Sequence, residues 1–198
     1  MRYYQEVTLL PSQEIPLSFL WTKVYGQIHI GLVSLKDEKD CVPIGVSFPE
    51  YQPLSPKRGE KGGGLGTKLR IFAREEEQLN ALNVEKLMAR LQDYVHITGI
   101  RPVPNRLKGY AVFRRFHQVK SVAQMARRHA RRHNLSYEDA EALFEQQPRE
   151  KTLPYIQMTS LTNRHRFTLF IGKEETAQPT EGSFNVYGLS TSATVPQF

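Results

Sequence analysis

The chain has 198 residues, 39% of them hydrophobic, with 27 Lys/Arg against 20 Asp/Glu for a net charge of +7. No apolar run approaches the roughly 18 residues of a membrane span, and the opening MRYYQEVTLL lacks the apolar core of a signal peptide, so a soluble, cytoplasmic protein is expected. Cys41 is the only cysteine, which excludes an internal disulfide framework or cysteine zinc site, and the six histidines (29, 96, 117, 129, 133 and 165) have no HExxH-like spacing.

Taken in chain order, residues 3–10 read as a strand rich in aromatic and β-branched residues, stopped by Pro11. Residues 17–35 read as a helix, because Leu17, Leu20, Trp21, Val24, Ile28 and Leu32 recur at helical spacing. A short strand is expected at 43–48, a long loop at 49–66, and a strand at 68–72. A helix is expected at 75–91, on Leu79, Leu82, Val84, Leu87 and Leu91, followed by extended chain at 94–102. The order β-α-β-β-α-β is that of the ferredoxin-like unit, which includes the RNA-recognition fold. The fold class expected is therefore α+β. Residues 1–100 form a ferredoxin-like domain, and 101–198 a smaller α+β domain with an arginine-rich helix. In that second part, 110–116 reads as a strand and 121–133 as a helix with Ser121 as N-cap and Asn134 as stop. Ser136 starts another helix with Glu138 and Asp139 in its first turn, and short strands and turns follow from Pro154.

The charge is local. Between Arg101 and His133 stand ten Lys/Arg and no Asp or Glu, and taking those ten from the 27 leaves 17 basic against 20 acidic residues, a net of −3. Such a block is the footprint of a polyanion partner, most often a nucleic acid. On a helical wheel Arg127, Arg128, Arg131 and Arg132 fall within an arc of about 140°, opposite Val122, Ala123, Ala126 and Ala130. Four neighbouring cations repel one another, and phosphates relieve that repulsion through the planar guanidinium fork. Charge alone does not choose between DNA and RNA. A solvated basic face paired with surface acids is the bland alternative.

GEKGGGLGTK lacks the order of a phosphate loop and reads as a loop between strands. No DxD or paired-carboxylate motif marks a two-metal nuclease, so if the chain cuts nucleic acid the expected route uses no metal and no cofactor. RNA supplies such a route through its own 2′-OH, which needs a base and in-line alignment. Histidine suits the base role. From the residues alone His29, His117, His129 and His133 all remain candidates.

Four segments are recognisable together: VYGQIHIGLV containing His29; IGVSFP at 44–49; the arginine helix ending RRHNLS at 131–136; and LPYIQMTSLTNRHRFTLFI at 153–171 with VYGLS at 186–190. In these the chain resembles the CRISPR-associated endoribonuclease of type I-F systems, which cuts precursor CRISPR RNA beside each repeat hairpin. The resemblance implies that His29 deprotonates the 2′-OH, Ser160 holds the ribose in a reactive pucker, and Tyr187 orients histidine and substrate. It implies that Phe167 stacks on the base pair closing the hairpin, and that Arg115 reads a guanine. Arg127, Arg128, Arg131 and Arg132 would line the major groove, with Lys120 and Thr162 as further RNA contacts. The family often has glutamine two residues after the base-reading arginine; here His117 stands there and Gln118 follows, and either is a candidate for the second base contact. The implied partners are the repeat hairpin, the mature guide RNA and other subunits of a type I-F interference complex, with no membrane. Two competing readings are a non-catalytic RNA-hairpin-binding subunit and a DNA-binding regulator.

Overall fold

The computed structural model describes residues 1–54, 63–116, 122–145, 153–160 and 163–198. Residues 55–62 of the loop expected at 49–66, the N-cap expected at Ser121, and the candidate contacts His117, Gln118, Lys120 and Thr162 lie outside the described residues.

The chain is α+β. Strand β1 (Tyr3–Leu9) leads into helix α1 (Leu17–Ser34), then β2 (Cys41–Val42), β3 (Gly45–Ser47) and β4 (Lys68–Ala73). Helices α2 (Glu76–Leu82) and α3 (Val84–Leu87) precede β5 (Val95–Ile97) and β6 (Arg101–Pro102). The chain continues through β7 (Gly109–Phe116), α4 (Val122–His133), α5 (Tyr137–Glu145), β8 (Tyr155–Thr159), β9 (Arg166–Thr176), β10 (Phe184–Asn185) and β11 (Val195–Gln197). The first sheet has the order β3-β4-β1-β5, with β6 also pairing β1, and the second has the order β11-β7-β9-β8; their pairings are antiparallel.

Two expectations are corrected. The helix read over 75–91 is two helices, because Asn83 takes a left-handed conformation (φ +48°). Asn83 closes α2, and its side chain then accepts from Lys86 N at 3.2 Å to start α3. The short strands read after Pro154 include an eleven-residue strand, β9, whose partners β7 and β8 lie on either side of it. The stop at Asn134 and the start at Ser136 hold: Asn134 is left-handed (φ +51°), and Ser136 Oγ accepts from Asp139 N at 3.0 Å.

Helix α1 connects the two halves. Its stripe of Leu20, Trp21, Val24, Tyr25, Ile28 and Leu32 is buried, and each large aliphatic member contributes about 1.5–3 kcal/mol by leaving water. The helix packs against β8 of the second sheet as well as against α3 and β1 of the first half. Gly31 allows the close approach of α3, since a Cβ there would stand 2.5 Å from Leu87 Cδ1. One continuous apolar core therefore runs from Val7, Ile28 and Ile71 to Phe113, Met158, Leu169 and Leu189. No described helix is long and apolar enough to cross a membrane.

Candidate active site and RNA interface

His29 follows buried Ile28 on α1 and sits half-exposed at the margin of the apolar stripe, where the helix meets the second sheet. Its Nδ1 lies 2.8 Å from the Val186 carbonyl oxygen. A carbonyl only accepts, so Nδ1 carries the proton and the neutral ring presents the Nε2 lone pair. The ring stacks on Tyr187 with centroids 4.3 Å apart and planes 6° from parallel. Burial holds the imidazole pKa below its ordinary value. The hydrogen bond to Val186 acts in the opposite direction, and the Arg115 cation adds to the lowering.

The turn that presents Val186 and Tyr187 is built by its own sequence. Asn185 Oδ1 accepts from Tyr187 N at 2.9 Å and from Leu189 N at 3.3 Å. The main chain closes through Gly188 N to Asn185 O at 2.7 Å and Asn185 N to Leu189 O at 2.8 Å. Gly188 is left-handed (φ +69°), and a Cβ there would meet Val46 Cγ1 at 2.7 Å, so the turn presses directly on β3. Buried Tyr25, four residues before His29 on α1, donates its hydroxyl to Tyr187 O at 2.8 Å. Burial raises its phenol pKa far above the ordinary range, so it stays a donor. One face of α1 thus grips this turn twice, through Tyr25 and through His29.

Strands β7 and β9 add the remaining side chains. Arg115 stands in register with Ile171, on the sheet face that carries Phe113. Its guanidinium lies 5.0 Å from the Tyr187 ring centroid and 5.5 Å from that of Phe167. Phe167 meets Tyr187 edge-to-face at 6.4 Å. Ser160 directly follows β8, where its N donates to His165 O at 2.8 Å and its carbonyl accepts from Arg164 N at 3.0 Å. Its hydroxyl is bonded neither to His29 nor to another described residue.

The sequence candidates therefore divide. His29, Tyr187, Phe167 and Arg115 form one cluster, with Ser160 on the turn that leads into Phe167. The four arginines of α4 form a separate surface. Arg127, Arg128, Arg131 and Arg132 are exposed and make no ion pair among the described residues, while Ala126 on the opposite side is buried. Tyr137 of α5 lies beside them along a shallow concavity. His129 and His133 approach one another on α4, with ring centroids 4.3 Å apart. Sequence reasoning missed Tyr25, Asn185 and Gly188. The only trace of the turn was the Asn-x-x-Gly spacing. Among the described residues no three His, Cys, Asp or Glu side chains converge.

Comparisons with known proteins agree over the full length. The model of a CRISPR-associated protein family, Cas_Csy4, matches residues 4–198. A CRISPR-associated endonuclease Cas6/Csy4 of Escherichia coli (strain UTI89 / UPEC) is 32% identical over 201 residues, covering 100% of both chains. A protein of the same name from Pseudomonas aeruginosa (strain UCBPP-PA14) is 31% identical over 202 residues, again covering 100% of both. Two solved structures, "An RAMP protein binding different RNA substrates" and "Characterization of a Cas6-related gene from Pyrococcus furiosus", each cover 98% of the chain. Their TM-scores are 0.38 and 0.35 at 9% and 11% identity, too distant to carry an argument. On the family match and the two full-length relatives, the chain belongs to the Cas_Csy4 family of CRISPR-associated proteins.

Proposed function

We propose that the chain is an endoribonuclease that cuts CRISPR repeat RNA at the base of a hairpin, without a metal, and stays bound to the mature guide RNA. The observation that carries the reading is the 2.8 Å contact of His29 Nδ1 with the Val186 carbonyl, which assigns the proton to Nδ1 and leaves Nε2, with no partner among the described residues, as the base. Family membership and the names of the two endonuclease relatives support it. The strand order of the first sheet supports a ferredoxin-like unit over 1–100, with 101–198 as the hairpin-binding part.

In this reading Nε2 takes the proton of the 2′-OH upstream of the cut. The 2′ oxygen attacks the adjacent phosphorus, the bond to the 5′ oxygen breaks, and that oxygen leaves with a proton. The product strand ends in a 2′,3′-cyclic phosphate or its opened form. Ser160 holds the ribose, and Tyr187 keeps the imidazole plane fixed. Phe167 offers an aromatic surface to the closing base pair. Arg115 directs its donors to a guanine edge, with His117 or Gln118 as the second base contact. The arginines of α4, with Lys120 and Thr162, hold the RNA backbone. The bound product would remain as a subunit's guide within a type I-F interference complex.

The test is cleavage of a labelled repeat hairpin in EDTA under single-turnover conditions. Wild type is expected to cut, and His29→Ala to lose about 10²–10⁴ in rate while binding the hairpin as tightly. A His29→Ala protein that cuts at the wild-type rate would remove His29 from the mechanism. Binding without cleavage, by wild type across cognate repeats, would favour a non-catalytic RNA-binding subunit. Tighter binding to matching DNA would favour a regulator.

A further inference from the structure

Arg114 and Arg115 are neighbours on β7, and the Nε of each is buried without a partner among the described residues. Arg114 still donates through Nη2 to Glu174 Oε2 at 3.2 Å and Thr191 O at 2.8 Å. Arg115 has no hydrogen bond among the described residues. Among those residues its guanidinium rests on the rings of Tyr187 and Phe167. Leaving a buried cationic donor unsatisfied is unfavourable, so the arrangement is one that an incoming acceptor would complete. The ring that carries this cation is the same ring that stacks on His29.

We infer that Arg115 is a positioning residue for His29, coupling RNA recognition to the base. Stacked on Tyr187, its charge disfavours the imidazolium and keeps His29 in the form that can accept a proton. When an RNA acceptor engages the guanidinium, its charge is offset and the imidazolium formed during cleavage costs less. This rests on the endoribonuclease reading above and adds to base reading by Arg115.

Few ionisable groups compete for this role. Tyr187 faces His29 from the turn and Arg115 acts on it from β7. Tyr25 on α1 is tied to the Tyr187 carbonyl. Strand β8 turns Ile156 and Met158 into the core. Lys86 and Arg90 gather with Lys23 and Gln27 on another side of α1. Among the described residues, Arg115 is the one cation that acts on the imidazole.

The experiment is an NMR titration of the His29 ring in the RNA-free protein, for wild type, Arg115→Gln and Arg115→Lys. Arg115→Gln is expected to raise the titration midpoint, and Arg115→Lys, which keeps the charge, to leave it near wild type. Unfolding curves identify any variant that fails to fold, and the lysine variant then carries the comparison against wild type in 0.1 and 1 M salt, where the wild-type midpoint is expected to rise as screening grows. A midpoint unmoved by charge removal and by salt would overturn the coupling. Base reading is judged separately, by the ratio of binding to matched and mismatched hairpins, and cleavage by the His29→Ala assay, so failure of either leaves the free-protein titration standing.

Discussion

The arginine face of α4 and the histidine cluster at the end of α1 solve opposite problems. On α4, four exposed cations have no ion pair among the described residues, on a helix whose other side packs through Ala126. Around His29, a Tyr25 hydroxyl, an Asn185 amide and a left-handed Gly188 set the turn whose Val186 carbonyl and stacked Tyr187 ring hold one imidazole in one tautomer and one plane. A backbone phosphate is satisfied by charge within a few ångströms, and guanidinium groups on long stems tolerate variation in its place. Proton transfer needs a set atom at a set angle. The difference teaches that holding RNA and cutting it require different amounts of prior order, and that they are separable by mutation.

The largest expected effect outside His29 itself is on α4. Arg127→Gln with Arg131→Gln should weaken hairpin binding across sequences and lower the salt slope of log K by about two, near one per lost phosphate contact. Binding titrations from low to high salt check it; an unchanged slope would mean these cations are a solvated face. Next is the turn. Gly188→Ala forces a side chain into a left-handed residue pressed on Val46, and should cost about 1–3 kcal/mol in thermal unfolding and slow cleavage more than it weakens binding. A variant with wild-type stability and rate would show that the turn does not set the histidine. Tyr25→Phe is milder. It leaves the Tyr187 carbonyl without its donor, at about 1–2 kcal/mol, and should reduce the single-turnover rate while the salt slope of binding stays as in wild type.

The smallest effect is on pH. A base works in its unprotonated form, which dominates above its pKa, so the rate should rise with pH and then level off. Because burial and Arg115 hold the His29 pKa down, the midpoint in the free enzyme should fall below that of an ordinary imidazole, about 6.5, as read from the pH profile of kcat/KM. A midpoint well above that value would mean the site favours the imidazolium.

How much of this was legible depends on whether the cause was local. The arginine stripe was readable because composition and 3.6-residue spacing are both properties of one short segment. The break at Asn83 was not, since Leu79, Leu82, Val84 and Leu87 keep an apolar rhythm through this left-handed residue. His29 looked like any histidine bordering an apolar stripe. What distinguishes it is Val186, 157 positions away in sequence, and no periodicity reports a contact of that range. Tyr25 was hidden for the reverse reason: it sits within the apolar stripe and reads as core, though its hydroxyl is the second grip on the turn. Only likeness to a family joined His29, Phe167, Arg115 and Tyr187 before the fold brought them together.

The most direct test crosses the two regions in one experiment. Single-turnover cleavage of the cognate hairpin in EDTA, at protein concentrations that saturate each variant, is compared for wild type, His29→Ala and Arg127→Gln/Arg131→Gln, with dissociation constants measured on the same RNA. The account predicts that His29→Ala binds as wild type and barely cuts, while the arginine pair binds weakly yet cuts at the wild-type rate once saturated. Arginine variants that stay slow at saturation, or a His29→Ala protein that cuts normally, would contradict it.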